Sequence, residues 1–154
     1  GEKICVIGGG IGVFPLLFLL EKSVNVHKTA FLGFRNKESI VLEKDFENAA
    51  DKLIISTDDG SYGISGLITN PFVKYLETEK PDRVYTCGPL PMMKTVAEIC
   101  IKKGIFCEVS MEQRMGCGIG ACLVCACKVK HDNDYDYEHI CKDGPVFSAE
   151  RVIF

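Results

Sequence analysis

The sequence lacks the features of secreted, membrane-spanning and nucleic-acid-binding proteins. No segment resembles a signal peptide, and the longest apolar stretch, residues 11–20, is broken by Gly12 and Pro15 and is too short to cross a bilayer. The formal net charge of −3 lacks the basic excess that nucleic-acid binding requires. We therefore expect a cytoplasmic protein with neither a nucleic-acid nor a membrane partner.

Histidine is also scarce. The three histidines, His27, His131 and His139, are isolated in the sequence, and such residues are more often surface or packing residues than ligands. No pair of residues suggests a catalytic acid and base, so we expect no catalytic residue in this chain. A hydrophobic content of 47% over 154 residues indicates one folded domain with a small appendage.

Cysteine, in contrast, is abundant, and four of the nine cysteines form a pattern near the C-terminus. The spacing is C-x4-C-x2-C, followed by fifteen residues and a fourth cysteine. This is the plant-ferredoxin spacing, in which four thiolates bind a [2Fe–2S] cluster. Glycines between the cysteines allow the backbone to curl around such a cluster. The expected ligands of this one-electron carrier are Cys117, Cys122, Cys125 and Cys141.

Two other uses of these cysteines stay open. A zinc site usually has two short C-x2-C pairs, and only Cys122 and Cys125 form one. A disulfide framework suits a small secreted chain, which this sequence does not resemble. The cysteines outside the pattern are expected to be structural, apart from Cys87; these are Cys5, Cys100, Cys107 and Cys127.

Apolar runs alternate with helical patterns over the first two thirds of the chain. Strands are predicted at 3–7, within 24–34, and at 52–57, 83–87 and 105–110. The alternation predicts an α/β fold with a five-stranded parallel sheet and helices on both faces. We expect this α/β domain to span 1–111. A cysteine-rich iron–sulfur subdomain should follow over 112–154, with a β-hairpin that brings Cys141 back toward Cys125.

The loops at the carboxyl ends of the strands are the candidates for a nucleotide site. The glycine-rich loop at 8–12 suits a pyrophosphate at a helix N-terminus, or is simply a tight turn. Residues 58–63 suit a nucleotide or an ordinary solvated loop equally well. Cys87 either lies against a planar cofactor ring or is a buried residue before a turn. Arg35 and Glu38 leave the choice between NAD and NADP open.

Three motifs occur in the order Gly-Gly-Gly-Ile-Gly-x-x-Pro, Asp-Gly-Ser-x-Gly and Cys-Gly-Pro-x-Pro-Met-Met. Together they resemble the NAD(P) domain of the ferredoxin reductase superfamily. The cysteine-rich segment 111–127, with Cys141-Lys-Asp-Gly-Pro-Val-Phe, closely resembles the electron-transfer subunits of class 1B dihydroorotate dehydrogenases. The resemblance covers nearly the whole chain, and the cysteine segment is its most diagnostic part.

The resemblance implies an oxidoreductase complex of pyrimidine biosynthesis. Electrons would pass between NAD(H), FAD, a [2Fe–2S] cluster and the FMN of a catalytic partner subunit, in a heterotetramer that interconverts dihydroorotate and orotate. The same four cysteines would ligate the cluster. Nucleotide binding would fall to Gly9, Gly10 and Gly12 at the pyrophosphate, to Asp59, Gly60 and Ser61, and to Cys87, Gly88 and Pro89 at the nicotinamide.

One departure from this family is large. The family has an N-terminal FAD-binding barrel, whereas this sequence enters the nucleotide domain at once and contains no Arg-x-Tyr-Ser-type flavin motif. We therefore expect a truncated polypeptide that binds FAD poorly and does not turn over alone. The surface around residues 115–126 is expected to dock the catalytic subunit.

Three other functions stay open. The chain could be an NADH-dependent ferredoxin or sulfide reductase subunit of the same superfamily. It could instead be a non-enzymatic zinc-binding or redox-sensing module. The crevice could also bind a nucleotide for regulation only.

Overall fold

Apolar runs of the sequence form the central strands of the protein in a computed structural model that describes residues 1–154. The strands are β1 (Glu2–Gly9), β2 (Val26–Phe34), β3 (Lys52–Thr57), β4 (Ile64–Ser65), β5 (Arg83–Cys87), β6 (Phe106–Ser110), β7 (Ala126–His131), β8 (Asp134–His139) and β9 (Val146–Ser148). The helices are α1 (Val13–Lys22), α2 (Glu43–Ala49), α3 (Thr69–Tyr75), α4 (Leu90–Lys103) and α5 (Ile140–Asp143). None of these helices has the length and apolar character needed to cross a membrane.

Seven strands form the main sheet, in the order β4-β3-β2-β1-β5-β6-β9. The five predicted parallel strands are confirmed, and they are β1, β2, β3, β5 and β6. Two edge strands were not predicted from the sequence: β4, which is parallel to β3, and β9, which is antiparallel to β6. Strands of two and three residues are too short to show the period that identifies a strand.

Helices cover the sheet on both faces because alternate residues of each strand point in opposite directions. On one face, Ile4 and Val6 pack in a core with residues of α1 and α2. On the other face, Cys5 and Ile7 pack with residues of α3 and α4. The central strand β1 is therefore buried on both sides, as expected for a parallel sheet.

Helix α4 shows how local sequence sets the helix ends. It has a proline in its first turn, where the missing N–H costs nothing, and it ends at Gly104 with a φ of 63°. Lys102 and Lys103 in its last turn complement the helix dipole. These signals explain why the helix begins and ends where it does.

The C-terminal segment packs on the same core as α4. Strands β7 and β8 form the predicted hairpin, with Val129 bridged to Val152. Val129 and Phe147 lie in the same buried cluster as Val109 of β6. The division of the chain after residue 111 stays a prediction, and the two segments share one sheet and one core.

We expect Phe46→Ala to lower the free energy of unfolding by about 3–5 kcal/mol. The Phe46 side chain is fully buried and anchors the short helix α2, so its truncation leaves a cavity. Urea denaturation followed by circular dichroism measures the change. Phe18→Ala is the matched control, because the Phe18 side chain is 62% exposed. Equal losses in the two variants would contradict this account of the core.

Candidate functional site

The order of the strands creates a crossing point at the carboxyl end of β1. The chain passes outward from β1 to β2 and β3, and then returns to place β5 on the other side of β1. The loops that follow β1 and β5 therefore leave the sheet in adjacent positions. In open α/β sheets, ligands bind in the crevice at this point.

Glycines allow these two loops to touch. A Cβ atom on Gly12 would lie 2.6 Å from the Gly88 nitrogen, and one on Gly88 would lie 2.8 Å from the Gly9 nitrogen. Gly10 differs, because it has a φ of 55° and no atom within 4 Å of where its Cβ would be. Gly12 and Gly88 thus serve loop contact, whereas Gly10 faces open space beside the start of α1.

Cys87 lies half-buried at the end of β5, beside this glycine contact. Burial raises the pKa of its thiol, an interaction with the Ser110 side chain lowers it, and the nearby charge of Glu112 raises it again. Neither Ser110 nor Glu112 was predicted from the sequence. Ser110 ends β6, the strand that pairs with β5, and Glu112 follows two residues later.

Asp59 and Ser61 stabilise the loop after β3. A carboxylate oxygen of Asp59 accepts hydrogen bonds from the Ser61 backbone N–H at 2.9 Å and from its hydroxyl at 2.6 Å. The Ser61 hydroxyl in turn accepts the backbone N–H of Lys37 at 2.8 Å. These bonds fix the loop after β3 against the loop after β2. Gly60 lies between them with a φ of 73°, and the predicted contact of this loop with a nucleotide stays a prediction.

The cysteine loop surrounds one sulfur with backbone donors. The Cys117 Sγ accepts the N–H groups of Ile119 at 3.4 Å, Ala121 at 3.2 Å and Cys122 at 3.4 Å. These bonds, with that of Ile119 contributing most, lower the pKa of Cys117 to about 6. Positive φ angles at Gly118 and Gly120 give the loop this curl. The loop therefore favours the thiolate, the form that binds metal.

The hairpin brings the last two predicted ligands together. Cys125 precedes β7, Cys141 lies just after β8, and the Ile140 N–H donates to the Cys125 carbonyl at 3.2 Å. The side chains of Cys125 and Cys141 interact, and so do those of Cys117 and Cys122. The charge of Cys117 also acts on Cys141. The four cysteines thus lie in two pairs. No three Cys, His, Asp or Glu side chains lie close enough together to form a set of metal ligands.

The donor chemistry of this loop fits an iron–sulfur cluster. Two pairs of thiols occur in the C-terminal segment, and backbone N–H groups point at one sulfur, an arrangement that stabilises the negative charge of a cluster ligand. All nine cysteines are free thiols. The predicted structural cysteines are all buried, and burial raises the pKa of Cys5 to about 12.

The cysteine loop carries exposed apolar side chains, which we call the apolar rim. We define it as the four side chains of this loop that are 53–75% exposed, namely Met115, Ile119, Leu123 and Val124. The sequence analysis placed a docking surface at 115–126 but did not recognise its apolar character. Exposed apolar side chains that lie close together mark interaction sites.

Comparison with known proteins supports this description. Residues 112–153 match the family model of the iron–sulfur cluster binding domain of dihydroorotate dehydrogenase B. The dihydroorotate dehydrogenase B (NAD(+)) electron transfer subunit of Caldanaerobacter subterraneus is 42% identical to this chain, in an alignment that covers all of this chain and 60% of that protein. The probable counterpart in Methanocaldococcus jannaschii is 39% identical, in an alignment that covers all of this chain and 58% of that protein. The chain thus spans about 60% of the length of these curated relatives.

Solved structures share the fold. A structure of an NADH-dependent reduced ferredoxin-NADP oxidoreductase, described in work on electron bifurcation, superposes with a TM-score of 0.85 and 28% identity over 99% of this chain and 54% of that one. The C-terminal domain of a Pyrococcus furiosus hydrogenase superposes with a TM-score of 0.53 and 18% identity over 71% of this chain and 91% of that one, which shows the fold alone. Residues 112–153 are therefore similar to the iron–sulfur cluster binding domain of dihydroorotate dehydrogenase B, and the chain is similar over its whole length to the electron transfer subunits of that enzyme.

Proposed function

We propose that this chain is the nucleotide- and cluster-binding part of a dihydroorotate dehydrogenase electron-transfer subunit. It would pass electrons between NAD(H), FAD, a [2Fe–2S] cluster and the FMN of a catalytic partner subunit in pyrimidine biosynthesis. The observation that carries this proposal is the Cys117 sulfur, which accepts three backbone N–H groups in the segment that matches the cluster-binding family. The relatives over the whole chain support it.

The cluster loop would hold its cofactor with side chains and tune it with backbone groups. The proposed ligands are Cys117, Cys122, Cys125 and Cys141. The N–H groups that bond the Cys117 sulfur would stabilise its negative charge, and hydrogen bonds of this kind set the reduction potential of a cluster. The hairpin would hold Cys125 and Cys141 at a fixed separation through the Ile140 bond.

The loops at the carboxyl ends of the strands would bind NAD. The backbone around Gly9, Gly10 and Gly12 would hold the pyrophosphate at the start of α1, where the helix dipole favours an anion. The loop at Asp59, Gly60 and Ser61, fixed by its own hydrogen bonds, would hold the ribose end. The turn at Cys87, Gly88 and Pro89 would face the nicotinamide.

Cofactors would supply the redox chemistry. When bound, a nicotinamide gives two electrons as hydride, a flavin separates them and a [2Fe–2S] cluster carries them singly. The protein would orient these groups. We place FAD mainly in the part of the curated relatives that this chain does not span, which is about 40% of their length.

The partner would be an FMN-containing catalytic subunit, in a heterotetramer, with the apolar rim as the docking surface. Exposed apolar side chains that surround a redox centre suit a dry contact with a partner. Nine free thiols suit a reducing compartment, and on that basis we place the protein in the cytoplasm.

A second candidate function is an NADH-dependent reductase subunit that exchanges electrons with ferredoxin. The superposition on the NADH-dependent reduced ferredoxin-NADP oxidoreductase, with its TM-score of 0.85, favours it. The two candidates share the cluster and the nucleotide site and differ in the electron-transfer partner.

We expect anaerobically purified protein to contain about two irons and two acid-labile sulfides per chain, with visible absorption that dithionite bleaches. Cys117→Ala should lose most of this iron, because it removes the sulfur that the loop surrounds with donors. Cys107→Ala is the control, since Cys107 is buried in the core outside the loop. A colourless wild-type protein that binds zinc even after reconstitution with iron and sulfide would contradict the cluster assignment.

We expect the chain to oxidise no NADH when FAD is added alone. The residues of this chain provide a nucleotide edge and a cysteine loop, and neither is a flavin site. NADH absorbance at 340 nm with ferricyanide as acceptor measures the rate, and a full-length relative is the positive control. Steady NADH oxidation by the chain with FAD would refute this expectation.

We expect Ile119→Asp and Leu123→Asp to slow electron transfer to the catalytic subunit by about tenfold or more, because a carboxylate in an apolar contact must be desolvated. The rate of this electron transfer is measured by stopped flow, as the reoxidation of the dithionite-reduced protein by the catalytic subunit. Val24→Asp is the control, as Val24 is 74% exposed and outside the rim. Iron content must match wild type in each variant. Unchanged rates in both rim variants would rule out this docking surface.

A further inference from the structure

The β7–β8 hairpin has one buried face and one open face. Cys127 and Val129 of β7 point into the core. Lys128 and Lys130 alternate with them and therefore point outward, where they pair in register with Tyr137 and Tyr135. We call these four residues the outer face.

Three side chains of the outer face, those of Lys128, Tyr135 and Tyr137, contact one another. The Lys128 ammonium lies 3.8 Å from the centre of the Tyr135 ring, and the Tyr135 and Tyr137 rings meet edge to face at 5.8 Å. Both tyrosines remain about half exposed, at 48% and 51%. A surface that is ordered in advance loses less side-chain entropy when a partner binds.

The charge of this face is positive although the chain is negative overall. Neither Lys128 nor Lys130 takes part in any of the ion pairs of the protein. The carboxylates of β8 alternate with its tyrosines and point away from the outer face, and Glu138 is already bound by Arg151. Two unpaired ammonium groups beside two tyrosines thus form a cationic surface with no carboxylate on the same face.

The outer face lies next to the cysteine loop. Lys128 is three residues beyond Cys125, which corresponds to about 10 Å along an extended strand. Val124 of the apolar rim is adjacent to Cys125 in the sequence. A protein surface seated on the rim would therefore extend over the first part of the hairpin.

We propose that the outer face docks a carboxylate-bearing surface of the electron-transfer partner, beside the apolar contact at the rim. This inference rests on the proposed function and specifies the chemistry of the partner. Tyrosines are enriched in protein interfaces, and complementary charge accelerates the encounter of two proteins. The rim gives the partner an apolar contact near the cluster loop, and the lysines orient its approach.

The test is the double charge reversal Lys128→Glu with Lys130→Glu. The probe is the purified FMN-containing catalytic subunit of dihydroorotate dehydrogenase from the same organism. Association rates are measured by stopped flow at low and high salt. We expect the variant to associate about tenfold or more slowly at low salt, and its rate to depend much less on salt than that of wild type.

Lys44→Glu with Lys80→Glu is the matched control, because it changes the net charge equally at two exposed lysines away from the hairpin. This control should associate at nearly the wild-type rate. Iron content and thermal unfolding must match wild type in both variants. A second variant, Tyr135→Ala with Tyr137→Ala, should raise the dissociation rate without altering the salt dependence.

The possible failures are distinguishable. If wild type binds the catalytic subunit and the Lys128 and Lys130 reversal associates at the same rate, this inference is wrong and the proposed function stands. If wild type neither binds nor reduces the catalytic subunit, the proposed function fails. A wild-type protein that dimerises through this face, with a monomeric reversal variant, would assign the face to a second copy of the chain and overturn the inference.

Discussion

The close approach of two backbone loops at the end of strand β1 is the constraint on which the rest of the structure depends. Strand β1 pairs on both edges and is buried on both faces, so its neighbours have no freedom to move apart. The loops after β1 and β5 must then share one small space, and Gly12 and Gly88 fit there because they lack a Cβ. The same contact leaves Gly10 open at the start of α1, which gives the sheet edge its candidate anion site.

The sheet also determines where the cysteine loop begins. Strand β6 ends at Ser110, beside Cys87, and the segment that matches the cluster-binding family starts at residue 112. The proposed nicotinamide site and the proposed cluster loop are therefore neighbours along one strand end. Strand β9 returns to pair with β6 and so fixes the far end of the cysteine segment to the same sheet. A short, rigid connection of this kind suits electron transfer, which needs fixed distances more than moving parts.

The cysteine loop and the neighbouring hairpin differ in the pKa values of their cysteines and in their surface charge. Backbone N–H groups lower the pKa of the exposed Cys117. In contrast, the interaction between the Cys141 and Cys125 side chains raises the pKa of Cys141. The loop that holds Cys117 is surrounded by exposed apolar side chains, and the hairpin beside it carries two unpaired lysines. Exposed apolar side chains and unpaired lysines thus occur close together in the sequence, in a protein whose net charge is negative.

The sequence by itself determined the five parallel strands, the hairpin and the family, because each has a local signal: apolar runs, a polar turn between short strands, and the spacing of four cysteines. It did not determine strands β4 and β9, which are too short for a pattern and exist only because β3 and β6 offer open edges. The role of Gly12 at a pyrophosphate stays a prediction, and the structure adds its contact with Gly88, a residue far away in the sequence. Ser110, Glu112 and the outer face of the hairpin also became visible only in three dimensions, since strand pairing decides which side chains share a surface.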